Sequence, residues 1–186
     1  MLPISTSRLL LRPLLQSDAA TVLSYRTDGM VARYQAWRPK SEQEVRSFIR
    51  EQAGCVPGMP GIWYQLGIVR VEDGSLLGDC GILVPVNSPT DAELGITLRA
   101  DAWKRGYATE VLRALLHYCF ERLHLSRVLA RIRPGNVAAI MLVERHGFVF
   151  RGNMQMRFHA ADDDVFDLLY SFDRPDTSQL DWNARE

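Results

Sequence analysis

The sequence contains no stretch approaching the roughly 18 consecutive apolar residues that a membrane-spanning helix needs, so no span is expected. It has no excess of either charge. Lys and Arg number 22 and Asp and Glu also 22, for a formal net charge of zero, which argues against a chain that grips nucleic acid or an anionic membrane with its whole surface. There are only three cysteines, Cys55, Cys80 and Cys119. Odd in number and widely separated, they fit neither a disulfide framework nor a thiolate metal site and read as reduced thiols. His117, His124 and His146 also lack ligand spacing, so no metal is expected. Neither a Gly-x-x-x-x-Gly-Lys-Ser/Thr loop nor a Gly-x-Gly-x-x-Gly fingerprint occurs. Arg8 and Arg12 box in Leu9 to Leu11, so the opening residues are not expected to act as a secretory signal, and the cytoplasm is the expected compartment.

What is there is a core-forming chain of 186 residues, 47% apolar, about one domain on a rough prior of 150 residues. Residues 8–15 read as a first strand. Ser17-Asp18 announces a helix from Ala19, and Ser41 with Glu44 three residues on forms a capping signature for a second. Between these helices runs the irregular aromatic segment 34–39, and Gly54 to Gly61 is a loop. The period then becomes that of strands. Residues 62–71 and 76–86 flank an Asp-Gly hairpin turn, and 92–98 completes an antiparallel meander. Val111, Leu112, Leu115, Leu116, Cys119, Phe120 and Leu123 share one face of a helix predicted over 107–122. A strand at 128–132, a helix at 136–145 and strands at 148–156 and 165–172 follow. Residues 162–164, three aspartates between the last two strands, read as a solvated turn. The order predicts one α/β domain over residues 1–172 with a mixed, mostly antiparallel sheet and helices on both faces, then a polar tail over 173–186. Residues 92–132 form a βαβ crossover, which makes its two strands parallel and places the loop 101–110 at the carboxyl end of the first.

That loop carries the chemistry. Lys104, Arg105 and Gly106 stand at a helix start, where unpaired N–H groups and the helix dipole favour an anion and a glycine admits close approach. Read alone, the segment is equally a turn glycine beside a solvated basic face. In context, Gly106-Tyr107-Ala108 resembles the end of the Arg/Gln-x-x-Gly-x-Gly/Ala signature of the GCN5-related N-acetyltransferases, with Trp103 at the first position. Trp103 through Glu110 is similar to the form carried by the branch that includes the ribosomal-protein alanine and serine acetyltransferases. Residues 6–13, Glu93 to Ile96, Asn136 and residues 144–148 match in the same order.

The resemblance implies a wedge between two splayed parallel strands that takes the acyl-pantetheine arm of acetyl-CoA. Leu98, Lys104, Arg105, Gly106, Tyr107, Ala108, Thr109 and Asn136 would contact that co-substrate, Asn136 also being a natural helix cap. Ala139 stands where relatives often have serine, and Val143 where many hold a tyrosine that acts as general acid. Attack on a thioester needs a neutral amine, yet an alkyl amine with a pKa of about 10.4 is nearly all protonated at neutral pH. Glu93, an acid interrupting an apolar strand at the position of a family glutamate, is the expected base, and backbone N–H near Leu98 would stabilise the developing oxyanion. No residue presents itself as the acid. The acceptor is expected against Tyr34, Trp37, Arg38, Trp63 and Tyr64, with strand packing the alternative for Trp63. Acetyl-CoA and a primary amine are thus the expected partners of a monomer or homodimer. The competing reading is a module of the same fold that binds acyl-CoA without turning it over.

Overall fold

A computed structural model describes residues 2–155 and 166–175. Met156, His159, the aspartates 162–164, Val165 and the tail from 176 onward lie outside the described residues. One eight-stranded sheet runs through the molecule in the order β1-β2-β3-β4-β5-β6-β8-β7. Its strands are β1 (Ile4–Ser5), β2 (Leu9–Pro13), β3 (Trp63–Arg70), β4 (Leu76–Leu83), β5 (Asp91–Leu98), β6 (Arg127–Ile132), β7 (Val149–Gln155) and β8 (Phe166–Asp173). The helices are α1 (Ala19–Thr27), α2 (Gly29–Ala32), α3 (Glu42–Gln52), α4 (Tyr107–His117) and α5 (Val137–Arg145). Every ladder is antiparallel except β5 with β6, the pair joined through α4. The mixed sheet and the crossover expected from periodicity are both present.

Alternation along the strands divides the sheet into two chemically different faces. Tyr64, Leu66 and Ile68 of β3, Cys80 and Ile82 of β4, Leu94 and Leu98 of β5 and Val128 and Ile132 of β6 lie in the large core. Val111, Leu112, Leu115 and Leu116 of α4 and Val143 of α5 complete that core from the helical side. The opposite face carries a smaller core under α1 and α3, built on Val22, Tyr25, Val45, Ile49, Val69 and Leu76. Cross-strand partners share a face. The register Trp63–Leu83–Glu93–Leu129–Ser171 therefore places Glu93 on the α1/α3 side, away from the large core.

Several local devices differ from the sequence reading. Asp18 does not cap α1 with its side chain; its carboxylate accepts from Leu15 N–H and pairs with Arg12 at 2.7 Å. Ser41 Oγ accepts from Glu44 N–H as expected, but the Glu44 carboxylate reaches past Ser41 to Lys40 N–H. The helix predicted to run to Arg122 changes to a π-turn at Tyr118, where Leu123 N–H bonds the Tyr118 carbonyl. That wider turn still buries Cys119 and Phe120. The strand β8 extends through Asp173, and Arg174 N–H donates to Ser126 O, so the ordered ladder passes the expected start of the tail.

Candidate functional site

The loop ahead of α4 is held from behind by the opening residues of the chain. Glu110 Oε1 accepts from Thr6 Oγ1 at 2.5 Å, Ser7 Oγ at 3.2 Å and Arg8 N–H at 2.9 Å, and Glu110 Oε2 pairs with the Arg8 guanidinium at 2.7 Å. Partial burial opposes ionisation of this carboxyl, but the donors outweigh it and hold Glu110 below its ordinary range. Arg8 also donates to Arg105 O at 3.1 Å and lies 4.7 Å over the Tyr107 ring. Two segments a hundred residues apart in sequence thus form one clasp.

Within the clasp the backbone is left-handed twice, at Lys104 (φ +59°) and at Gly106 (φ +80°), the N-cap of α4. Such alternation turns neighbouring N–H groups toward one point and creates a concavity that suits an anion. Lys104, Arg105 and Gly106 are exposed, Ala108 and Thr109 half-buried, and Tyr107 is buried into the core. Trp103, at the position where the signature has Arg or Gln, donates its indole N–H to Leu98 O at 2.9 Å and ties the loop to the end of β5.

The two parallel strands meet only at one end. β5 pairs with β6 at Asp91, Ala92 and Glu93, and from Leu94 onward β4 is the strand partner of β5 among the described residues. Arg99 N–H donates to Leu77 O, so by antiparallel alternation the amides of Ile96 and Leu98 face the gap. This is the open edge that an extended chain carrying amide groups can pair with. At the far side of the gap Asn136 caps α5, its Oδ1 accepting from Ala139 N–H at 3.3 Å, which leaves its NH₂ as a donor.

Glu93 sits where the strands part. It is buried, with Arg131 Nη2 at 2.5 Å from Oε2, but the guanidinium approaches off the hydrogen-bond direction, leaving that oxygen without an aligned donor. Burial lifts its proton affinity above the ordinary carboxylate range; Arg131 pulls it down and the field of Asp167 pushes it up. Asp167 is a second buried acid on this side of the sheet, 3.2 Å from Arg133 Nε. Trp63 completes the wall. Its indole lies across β4 and β5, 3.0 Å from where a Cβ of Gly81 and 3.7 Å from where one of Gly95 would stand, and 37% of the residue is exposed.

The expected acceptor residues are not all brought together. Tyr34 crosses to the far rim of the gap, donating its hydroxyl to Gly135 O at 2.7 Å, and Gln35 beside it accepts from Thr97 Oγ1 of β5 at 3.0 Å. These two residues strap the splayed strands. Trp37 turns away, packing on Phe48 of α3 with ring centroids 4.6 Å apart and beneath Arg26 at 5.1 Å; as a tryptophan under a helix it belongs to the smaller core, not the acceptor wall. Arg38 donates to Gln35 O and Arg33 O and so shapes the strap. Tyr64 points into the large core on the other face. Tyr170 donates to Glu144 Oε1 at 3.0 Å on the α5 side of the sheet, the face away from Glu93.

Arg131 and Arg133, which pair with the two buried acids, carry no sequence signal that sets them apart from the chain's other arginines. The signal that singled out Glu93, a charge inside an apolar strand, marks Asp167 as well. Trp63 has a signal of its own in Gly81 and Gly95, since glycine inside a strand often marks a close approach.

The half-open parallel pair, the left-handed glycine at the start of α4 and the buried acid at the fork all lie within the stretch that one family of acyl-CoA-dependent N-acetyltransferases matches. The family model described as "Acetyltransferase (GNAT) domain" matches residues 8–149, and the chain belongs to that family. It is 28% identical over 177 residues to the uncharacterized N-acetyltransferase YoaA of Bacillus subtilis (strain 168), covering 94% of this chain and 99% of that one. A GNAT-family acetyltransferase from Bacillus anthracis superposes with a TM-score of 0.80 at 21% identity, covering 92% and 98% of the two chains. A putative ribosomal-protein-serine acetyltransferase from Vibrio cholerae gives 0.77 at 25% identity, covering 93% and 98%.

Proposed function

We propose that the protein transfers acetyl from acetyl-CoA to a primary amine by direct attack, with Glu93 as general base. The observation that carries the reading is Glu93, a buried carboxylate of raised proton affinity at the fork of β5 and β6. Acetyl-CoA supplies an activated acyl group on a thiolate leaving group. The concavity at Lys104, Arg105 and Gly106 suits its diphosphate, Thr109 adds a hydroxyl, the Ile96 and Leu98 amides suit its pantetheine carbonyls, and the Asn136 NH₂ can donate to the same arm.

On the other side of the fork, Trp63 lies against Gly95, two residues along β5 from Glu93, and walls the approach, while Tyr34 closes the rim of the gap at Gly135. Glu93 takes the ammonium proton, directly or through a water, so that the nitrogen lone pair is free to attack. Leu98 lies five residues beyond Glu93, roughly 16 Å along β5 at about 3.3 Å per residue, so its N–H suits the pantetheine arm and not the oxygen on which charge develops beside Glu93. An acyl-cysteine detour has little support. Cys80 is wholly buried and its thiol is pushed up by burial, and Cys119, also buried, is pushed up to about 12.

Acetyl-CoA at a hundred times its Kd is expected to raise the melting temperature by roughly 5–10 °C, with much less from adenosine diphosphate, which lacks the arm. Release of free thiol across a panel of amines then separates the enzyme from a binding module. Stabilisation without thiol release for any amine would select the module.

Gly106→Val tests the cradle. A β-branched residue at φ +80° is strained, and its Cβ would meet Arg8 Nη2 at 3.3 Å. Relaxation of the loop is expected to weaken acetyl-CoA binding on the order of 10- to 100-fold, from about 1–3 kcal/mol of backbone strain. Titration calorimetry reads it, and unchanged affinity would remove the loop from the binding site.

A further inference from the structure

On the Glu93 side of the sheet, the ends of α1 and α2 and the segment 33–40 line an open, shallow groove of about 640 Å³. Four of the residues lining it are cationic: Arg26, Arg33, Arg38 and Lys40. Arg26 is spent on buried Asp79, but Arg33, Arg38 and Lys40 are exposed and carry no ion pair among the described residues. The acids nearest in sequence are committed to backbone. Asp28 accepts from Met30 N–H and Val31 N–H, and Glu44 accepts from Lys40 N–H. In a chain of zero net charge, three cations gathered in one concavity with no acid partner there favour an anionic ligand.

The groove adjoins the reaction site rather than standing apart from it. Its inner end is Arg26, which lies on Asp79 of β4 and donates to Gln35 Oε1, the same oxygen that receives Thr97 Oγ1. Asp79 pairs in register with Thr97. Thr97 is on the same face of β5 as Glu93 and four residues further along, roughly 13 Å at about 3.3 Å per residue. At the strap, the Arg33 guanidinium lies 5.3 Å over the Tyr34 ring, whose hydroxyl marks the far rim of the gap.

We propose that this groove receives acidic side chains of a polypeptide acceptor whose terminal amine reacts at Glu93. The inference rests on the acetyltransfer reading and narrows its substrate class. The spacing does the selecting. A free α-amino acid holds its carboxylate only two bonds from the amine and cannot reach both places, whereas an extended peptide with acids at about its fourth to sixth residues, roughly 10–17 Å from its amine, spans them. Exposed charge pairs are worth up to about fivefold each, so two or three favour the acidic acceptor on the order of tenfold. That preference shrinks as salt rises.

The experiment compares kcat/KM for two peptides of equal length and the same first three residues, one with Asp or Glu at positions four to six and one with Asn or Gln there. The expected acidic-to-neutral ratio is about ten for the wild type at low salt, near one for Arg33→Gln/Lys40→Gln, and below one for Arg33→Glu/Lys40→Glu. Because the ratio is taken within each variant, a general loss of folding or turnover does not imitate it. A wild-type ratio near one with turnover present, or a ratio that the variants leave unmoved, overturns the inference and spares the acetyltransfer reading. A rise in the KM for acetyl-CoA in the variants, matched by wild-type weakness toward dephospho-CoA thioesters, would assign the groove to the donor's phosphate and overturn it too. Thiol release from no acceptor at all overturns both.

Discussion

Glu93→Gln is expected to lower kcat about 10²- to 10⁴-fold near neutral pH, the usual worth of a positioned base, while the Kd for acetyl-CoA changes little. Glutamine keeps the volume and the hydrogen-bonding oxygen, so Trp63 and the strand ladder need not move, but it cannot hold a proton. The pH profile sharpens the prediction. A carboxyl whose proton affinity is raised, chiefly by burial, becomes an active base only above its elevated pKa. The acid limb of kcat/KM in the wild type should therefore lie above the ordinary glutamate value of about 4.3. In Glu93→Gln that limb disappears along with most of the rate. Wild-type turnover in the variant, with the limb intact, would remove Glu93 as the base.

Asp79→Ala is expected to be the most damaging single change to stability. Asp79 is 1% exposed and Arg26 5%, and the carboxylate also receives Tyr25 Oη–H, Arg26 Nε–H and the Gln65 side-chain amide. Removing one partner of a buried ion pair leaves the other charged and unsolvated, at about 3–5 kcal/mol. At roughly 2–4 °C per kcal/mol for a domain of this size, the melting temperature should fall by about 6–20 °C. The compensated variant Arg26→Met/Asp79→Leu has no orphaned charge and should recover most of the loss, and a double-mutant cycle by thermal unfolding isolates the coupling. Additive effects would show that the pair is not a unit. The same network reaches the strap, since Arg26 donates to the Gln35 oxygen that is bonded by Thr97.

The elements were legible where one physical signal dominates. Alternating apolar residues and Asp73-Gly74 mark the β3–β4 hairpin, in which Gly74 is left-handed at φ +72° and Asp73 Oδ1 accepts from Ser75 N–H. The apolar stripe from Val111 to Phe120 found its face because a helix repeats its side chains every few residues. What was not legible is what the fold brings together from distant places. Nothing local to Glu110 says that it will gather Thr6, Ser7 and Arg8, and the similarity of both segments to family motifs concealed that they are one device.

The acceptor side was read least well. Tyr34, Trp37 and Arg38 are neighbours in sequence, yet an irregular segment has no period, so composition could not say which side chains face the gap. Tyr34 bridges the strands, Trp37 packs under α3, and Arg38 braces the turn. Asp79 carries the same signal as Glu93, an acid within an apolar strand, and differs in what the tertiary fold sets against it. A buried guanidinium in good hydrogen-bond geometry holds Asp79, whereas Glu93 keeps an oxygen with no aligned donor.

Coenzyme A release and acceptor mass, followed together over time with acetyl-CoA and an acidic peptide as substrates, distinguish acetyl transfer from binding alone. One acetyl group on the peptide's terminal nitrogen is expected for each thiol released, with no acetyl retained on the protein. Tight acetyl-CoA binding with no thiol released, whether to the peptide or to any amine of the panel, would refute acetyl transfer, whereas thiol release to other amines alone would refute only the peptide acceptor.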